Sequence, residues 1–257
     1  FILGPSLFML TACMVSVVIP WGGNLTIGET TFPLQITDIN IGILYMFGVV
    51  SMGIYGIMIG GWASNNKYSL LGALRASSQM ISYEIAMGLA IIALVMLTGS
   101  LSLKEIVAQQ DAGLAFVVYQ PLGFLIFIIC SFAETNRAPF DLAECESELV
   151  GGYHTEYSSM KLGLFLFAEY INMFISSAVM ATLYFGGYNF PFQHELADAI
   201  GLSANGLTIL QTVIFFGKVI GFILLFMWVR WTLPRFRYDQ LMNLGWKVLL
   251  PLAIANI

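Results

Sequence analysis

The sequence predicts an all-α protein, a polytopic bundle of transmembrane helices. Hydrophobic residues make up 58% of its 257 residues, and charged residues make up only 10%. The apolar residues fall in runs of about 16 to 26, the length that crosses roughly 30 Å of hydrocarbon as a helix. The alternating pattern of a membrane β-barrel is absent, and lipid cannot satisfy unpaired backbone groups, so the runs are predicted to be helices.

Seven hydrophobic segments follow one another along the chain. We predict them at 2–20, 41–63, 78–98, 118–133, 160–185, 208–229 and 245–257. The last is too short to cross a bilayer. Because both ends fall in apolar runs and neither resembles a cleaved signal peptide, we expect the chain to be cut off at each end. Residues 1–257 are expected to form a single integral membrane domain.

The basic residues predict the orientation, because cytoplasmic loops retain Lys and Arg. Of the ten basic residues, only Lys104 lies in the connections at about 21–40, 99–117 and 186–207, and Lys218 lies inside a segment. The other eight of the ten basic residues fall in alternate connections, which we assign to the inside: Lys67, Arg75, Arg137, Lys161, Arg230, Arg235, Arg237 and Lys247. A loop at 134–159 is therefore predicted to face the cytoplasm.

That loop is the most charged part of the chain. Between Ala133 and Tyr153 lie six charged residues, five of them acidic: Glu134, Arg137, Asp141, Glu144, Glu146 and Glu148. If this stretch is helical, Glu144 and Glu148 share a face, repel each other and titrate as a coupled group. The alternative is a solvated acidic turn. Arg137 is predicted to pair with Asp141 or Glu134, in either a structural or a functional role.

Three charged residues fall within the predicted spans. Glu84 lies about six residues into the third segment, roughly 9 Å below its inner boundary. Glu169 and Lys218 lie near the middle of the fifth and sixth segments, where an unpaired charge costs at least a few kcal/mol. Such residues usually mark ion or proton pathways. The alternative is a static ion pair or hydrogen bond, with Tyr83 as a candidate donor to Glu84.

Other patterns predict structure or exclude chemistry. Cys13, Cys130 and Cys145 lack the paired spacing of iron–sulfur or zinc sites. No phosphate-binding loop or dinucleotide fingerprint occurs, so nucleotide chemistry belongs to another subunit, and no nucleic-acid partner is expected. The small-xxx-small patterns Gly56–Gly60 and Gly217–Gly221 predict close helix packing.

Several stretches resemble one family closely. They are Ala133-Glu-Thr-Asn-Arg-Ala-Pro-Phe-Asp-Leu142, Glu144-x-Glu-x-Glu-Leu-Val150, His154-Thr-Glu-Tyr-Ser158, Lys67 to Arg75 leading to Ile81-Ser-Tyr-Glu84, Ala168-Glu-Tyr-x-Asn-Met173, and Leu233 to Met242 followed by Gly245-Trp-Lys247. In these stretches the chain is similar to the H subunit of bacterial respiratory complex I, the NADH-quinone oxidoreductase, in the family that includes NADH dehydrogenase subunit 1 of mitochondria. The resemblance covers the chain from its second segment to its end.

The resemblance implies an eight-helix subunit in the bacterial inner membrane that forms the membrane side of a quinone chamber. The substrate would be ubiquinone or menaquinone, and FMN and the iron–sulfur clusters would belong to partner subunits. Expected partners are the peripheral-arm subunits, the small and antiporter-like membrane subunits, and the lipid bilayer. The residues implied in the proton path and the chamber loop are Glu84, Glu134, Arg137, Asp141, Glu144, Glu146, Glu148 and Glu169. The family's first helix and entrance helix have no counterpart here, so quinone contacts stay unassigned.

Two alternatives remain open at the level of sequence. One is the homologous membrane subunit of an energy-converting hydrogenase or formate hydrogenlyase, which reduces no quinone. The other is a passive anchor that binds the peripheral arm and carries no protons. An anchor would hold Glu84 and Glu169 in dry, static pairs, whereas a proton path would place them beside water.

Overall fold

The computed structural model describes residues 1–111, 113–141, 150–191, 193, 195, 201 and 203–257. Within this part of the chain the fold is a helical bundle, as predicted. Its α-helices are α1 (Leu3–Val15), α2 (Gly42–Ala63), α3 (Lys67–Thr98), α4 (Leu103–Asp111), α5 (Phe116–Tyr119), α6 (Pro121–Glu134), α7 (Ser159–Tyr184), α8 (Ala204–Thr232), α9 (Tyr238–Asn243) and α10 (Leu250–Asn256). Short 3-10 turns occupy Ser16–Val18 and Gly152–His154.

Four helices, α2, α3, α7 and α8, are long and apolar enough to cross a membrane. The first helix with its 3-10 turn (Leu3–Val18) and α6 are shorter apolar helices. Each of the first six predicted segments therefore contains a helix. The seventh begins earlier than predicted, at Tyr238, and a π-helical turn at Leu244–Leu249 joins α9 to α10.

The third helix is longer than the sequence predicts. It begins at Lys67 instead of residue 78 and contains 32 residues. The Asn66 side chain accepts a hydrogen bond from the Tyr68 amide at 3.0 Å, and this cap starts the helix. Gly99, with a positive φ of 68°, ends it. Lys67 and Arg75 look like loop residues in the sequence, but they are helical residues of the first three turns.

Glycines bring α1 and α2 into close contact. A Cβ atom on Gly4 would lie 2.9 Å from Gly60 Cα, and one on Gly56 would lie 2.9 Å from the Phe8 amide nitrogen. The predicted packing role of Gly56 and Gly60 is therefore confirmed. No atom of the described chain lies within 4 Å of a Cβ built on Gly217 or Gly221. The packing predicted for that second pattern is not made within this part of the chain.

The connections between helices gather at two ends of the bundle, in the alternation that the basic residues predict. At one end, Asn66 Nδ2 donates to Glu156 Oε1 at 2.7 Å, and the Phe236 amide donates to the Pro139 carbonyl at 3.1 Å. We call this the acidic end. It is formed by residues 64–66, the described parts of 134–159, and 233–237.

The opposite end is formed by 19–41, 99–120 and the described residues of 185–203, and we call it the amide end. It contains a β-hairpin in which β1 (Asn24–Ile27) pairs antiparallel with β2 (Thr30–Pro33). Asn205 at the start of α8 binds the hairpin, donating to the Thr26 carbonyl at 2.6 Å and accepting from the Thr26 amide at 2.9 Å.

Candidate functional site

Glu169 is the most deeply buried carboxylate among the described residues. It lies in α7 with 2% of its surface exposed, and Tyr153 Oη donates to its Oε1 atom at 2.7 Å. Arg137 Nη2 lies 3.8 Å from Glu169 Oε2. The Arg137 guanidinium also stacks on the Tyr170 ring, 4.3 Å from the ring centroid. Burial of this charge is therefore offset by a hydroxyl donor and a cation.

The predicted partner of Arg137 is wrong. Asp141, which the sequence pairs with Arg137, instead accepts from Arg235 Nη2 at 2.8 Å. Next to this pair the Phe140 and Phe236 rings stack with centroids 5.5 Å apart. The reason is positional: the turn after α6 directs Arg137 toward α7 and leaves Asp141 beside the connection that follows α8. That connection is therefore tied to the start of the acidic loop.

His154 lies on the same side of the acidic end. It is half-buried in the 3-10 turn that also contains Tyr153. Burial lowers the pKa of the His154 imidazole, and the nearby Asp141 carboxylate partly offsets this by raising it. His154 is therefore favoured in its neutral form near neutral pH. The charge of this end is therefore carried by its acidic residues and by Arg137, Arg235 and Arg237.

Glu134, the last residue of α6, faces a small cavity inside the bundle. The cavity has a volume of about 30 Å³. That volume holds about one or two water molecules. Three polar side chains contribute to its wall, Glu134, Asn172 and Ser176, and the rest of the wall is apolar: Val15, Met46, Phe47, Val50, Met87, Phe127, Ile175 and Val179. Among the described residues, no cation forms an ion pair with Glu134.

Helix α7 connects Glu169 to this cavity. Glu169, Asn172 and Ser176 are spaced i, i+3 and i+7, which places them along one face of the helix. Asn172 and Ser176 line the cavity, and Glu169 lies one turn nearer the acidic end. In the sequence, Asn172 stands out only as part of a family motif, and nothing distinguishes Ser176 from an ordinary helix residue. Only the packing of α7 against the cavity reveals their position.

Glu84 lies in α3, one turn before Met87, which lines the cavity. Because α3 begins at Lys67, Glu84 is near the middle of the helix, about 26 Å from its first residue. Its predicted depth below the membrane boundary stays a prediction. Ser51 Oγ of α2 donates to Glu84 Oε1 at 2.5 Å. The candidate donor Tyr83 instead donates to the Leu241 carbonyl at 2.9 Å. Glu84 and Glu134 are close enough to interact electrostatically.

Lys218 takes the static alternative that the sequence left open. Its Nζ atom donates to the carbonyl oxygens of Phe185, Gly187 and Asn189 at 2.7, 2.8 and 2.5 Å. An ammonium has three donors, and all three are used. Phe185 is the residue after α7, so Lys218 of α8 caps the C-terminal end of that helix. Lys218 thus fixes the backbone at the amide end.

The described residues include five of the acids and bases that the sequence assigns to the site. Glu84, Glu134 and Glu169 surround the cavity or lie one turn from it, and Arg137 and Asp141 each join an ion pair at the acidic end. The other three, Glu144, Glu146 and Glu148, lie outside the described residues, so their predicted coupling stays a prediction.

Sequence reasoning missed the partners of the acids. These partners are Ser51, Tyr153 and Arg235. Tyr153 and Arg235 stand in or beside the family motifs, but spacing along the chain does not indicate what they contact. Ser51 lies in an apolar segment and belongs to no motif, so no signal in the sequence could have found it.

The fold and this arrangement define a class: a helical membrane protein with buried carboxylates at and near a small cavity whose wall is mainly apolar. The family model for NADH dehydrogenase matches residues 1–257, and the chain belongs to that family.

Curated relatives agree with the family assignment. An H subunit of NADH-quinone oxidoreductase from Cytophaga hutchinsonii, the one numbered 1, is 70% identical over 257 residues, which is 100% of this chain and 74% of the relative. The H subunit of NADH-quinone oxidoreductase from Flavobacterium psychrophilum is 63% identical with the same coverage. NADH-quinone oxidoreductase subunit 8 of Rhodothermus marinus is 48% identical over 261 residues, 99% of this chain and 74% of the relative.

Proposed function

We propose that this chain is the H subunit in the membrane part of a proton-translocating NADH:quinone oxidoreductase, and that its buried acids start the path that couples quinone reduction to proton pumping. The observation that supports the path most is that Glu134 lines one small cavity, while Glu169 and Glu84 each lie one helical turn from a residue of its wall. The names of the relatives support the complex, and they favour it over a hydrogenase or formate hydrogenlyase.

The acids differ in what surrounds them, and this difference gives the path a direction. Glu169 is held by Tyr153 and lies near Arg137, at the end where a quinone would be reduced by a partner subunit. A water molecule in the cavity would contact Asn172, Ser176 and Glu134, and Glu84 lies beyond it. A change of charge at the acidic end would alter the protonation of these groups in turn, because coupled sites influence each other's equilibria reciprocally.

The quinone chamber itself is proposed from the family alone. The cavity beside Glu134 holds water-sized molecules and is far too small for a quinone ring. A quinone would therefore lie nearer the acidic end, beside the loop that contains Arg137, Asp141, Glu144, Glu146 and Glu148. FMN and the iron–sulfur clusters would belong to partner subunits.

The test uses assembled complex in inverted membrane vesicles, with NADH-driven quinone reduction and dye-reported proton uptake measured together. We expect Glu134→Gln, Glu84→Gln and Glu169→Gln each to reduce proton uptake about tenfold or more while the complex stays assembled. Glu29→Gln is the matched control, because Glu29 is an exposed carboxylate in the hairpin of the amide end. Wild-type reduction and uptake in all three variants would refute the path.

A passive anchor is the second candidate, and one observation favours it. Glu169 is 2% exposed and held by Tyr153 and Arg137, which is the dry pairing that an anchor would have. Glu84 and Glu134 have no such ion pair among the described residues. The anchor therefore predicts that all three Gln variants leave uptake unchanged, whereas the path predicts that each variant reduces it about tenfold or more.

We also propose that the chain spans a bacterial inner membrane with the acidic end on the cytoplasmic side. The concentration of basic residues at that end supports this orientation. Single cysteines introduced by Glu156→Cys and Glu29→Cys, in a background without native cysteines, would be labelled by an impermeant maleimide. We expect Glu156→Cys to be labelled only in inverted vesicles and Glu29→Cys only in right-side-out ones. The reverse pattern would contradict the orientation.

A further inference from the structure

Ser51 does not bond to its own helix, as many serine and threonine hydroxyls in the bundle do. Ser64, Ser177 and Thr182 each donate to a backbone carbonyl four residues earlier in their own helix. That bond is the ordinary state of a hydroxyl in an apolar helix. Ser51 instead reaches from α2 across to α3 and donates to the Glu84 carboxylate at 2.5 Å.

The location of this contact relates it to the cavity. Phe47 and Val50, neighbours of Ser51 on α2, line the cavity, and so does Met87, one turn after Glu84 on α3. Ser51 and Glu84 are both half-buried. In the described part of the chain, Ser51 is the one side chain that hydrogen-bonds to Glu84.

We propose that Ser51 is a positioning residue for Glu84, holding its carboxyl group at the cavity in both protonation states. This inference rests on the proposed proton path. A hydroxyl both donates and accepts, so Ser51 donates to the ionised carboxylate and accepts from the protonated carboxyl group. A lysine or arginine here would fix the charged form alone, and an apolar residue would favour the neutral form. A serine lets Glu84 change charge without losing its partner.

The experiment compares Ser51→Ala, Ser51→Thr and Ser51→Cys in assembled complex within inverted vesicles. We expect Ser51→Ala to slow proton uptake about tenfold, Ser51→Thr to retain it within about twofold, and Ser51→Cys to fall between them, because a thiol is a weak donor. Ser177→Ala is the control: Ser177 is fully buried, and its hydroxyl bonds to its own helix. If Ser51→Ala fails to assemble, proton uptake is compared between Ser51→Thr and Ser51→Cys instead. Slower uptake in Ser51→Cys supports the inference, and equal uptake contradicts it.

A spectroscopic readout separates positioning from a general packing role. We expect infrared difference spectra of oxidised and reduced complex to contain a carboxyl C=O band that Glu84→Gln removes. We expect that band to move to higher frequency in Ser51→Ala, through loss of the hydrogen bond, and to stay in place in Ser177→Ala. An unmoved band with wild-type uptake in Ser51→Ala would overturn the inference. If Glu84→Gln itself pumps normally, the proposed path fails, and this inference fails with it.

Discussion

The two ends of the bundle hold their buried polar groups in different ways. At the amide end, Lys218 and Gln110 bind backbone carbonyls and amides, with every ammonium donor of Lys218 used. Toward the acidic end, Glu134 lines a cavity and Glu84 lies one turn from its wall, and both have few fixed partners. Backbone partners cannot change their charge, whereas water and hydroxyl groups accommodate either protonation state. One end is therefore fixed in shape, and the proposed path requires the other end to change its charge.

The largest expected effect tests the fixed end. Lys218→Met would leave the carbonyls of Phe185, Gly187 and Asn189 without their donor, and each buried unsatisfied group costs about 1–3 kcal/mol. We expect a destabilisation of about 4 kcal/mol, seen as loss of the chain from assembled complex on immunoblots of membranes. Lys218→Arg keeps a cation with several donors, so it should recover much of the lost stability. Normal assembly of Lys218→Met would show that these bonds do not hold the end together.

The second prediction concerns the acid that is compensated by a cation. Arg137→Met should destabilise the solubilised complex by about 3 kcal/mol, because it removes the cation beside the buried Glu169 carboxylate. Adding Glu169→Gln should restore part of that loss, since a neutral amide needs no cation. Thermal denaturation of the two single variants and the double variant measures this coupling. Strictly additive losses would mean that the 3.8 Å pair contributes nothing.

The third prediction tests whether the amide end has a structural role alone. Gln110 Oε1 accepts from the amides of Phe116 and Gly186, and its Nε2 atom donates to the carbonyls of Thr182 and Leu183. We expect Gln110→Leu to lower stability by about 2 kcal/mol without any effect on the ratio of protons taken up to quinone reduced. Thermal denaturation and the vesicle assay measure the two quantities. A changed ratio with normal stability would break the contrast between the ends.

The smallest expected effect depends on pH. Because burial lowers the pKa of His154, the unfolded chain binds more protons than the folded one below the ordinary value of 6.5. His154 therefore contributes its full share to the stability of the folded chain above pH 6.5, and this contribution is lost as the pH falls toward the lowered pKa of the folded state. His154→Gln should reduce the drop in denaturation temperature between about pH 7.5 and pH 5.5 by about 1–2 °C. An unchanged drop would show that His154 does not titrate differently on folding.

The sequence predicts the fold class and the acids for a simple physical reason. Long apolar runs have few structural solutions in lipid, and a carboxylate within such a run is conspicuous. Glu84 and Glu169 were found this way, and Glu134 was found as the first acid of the charged loop. All three lie by or near the cavity. The basic residues likewise predict which connections meet at each end.

The contacts of those acids could not be predicted. Arg137 and Glu169 are far apart along the chain, and only the turn after α6 brings them together. Ser51 was missed because serine is common in apolar helices and its cross-helix bond leaves no pattern in the sequence. The start of α3 was misplaced because Lys67 and Arg75 resemble loop residues, although the Asn66 cap was visible in the sequence.

The length of α3 sets the height of the acidic end. Its 32 residues extend about 48 Å, and even a tilt of about 40° reduces the vertical span only to about 37 Å. Since the acyl-chain layer is about 30 Å thick, at least one turn of the helix stands clear of it. Lys67 and Arg75 mark the first turns as the protruding part. The acidic end therefore lies beyond the acyl-chain layer, at the level of the lipid headgroups and the water above them.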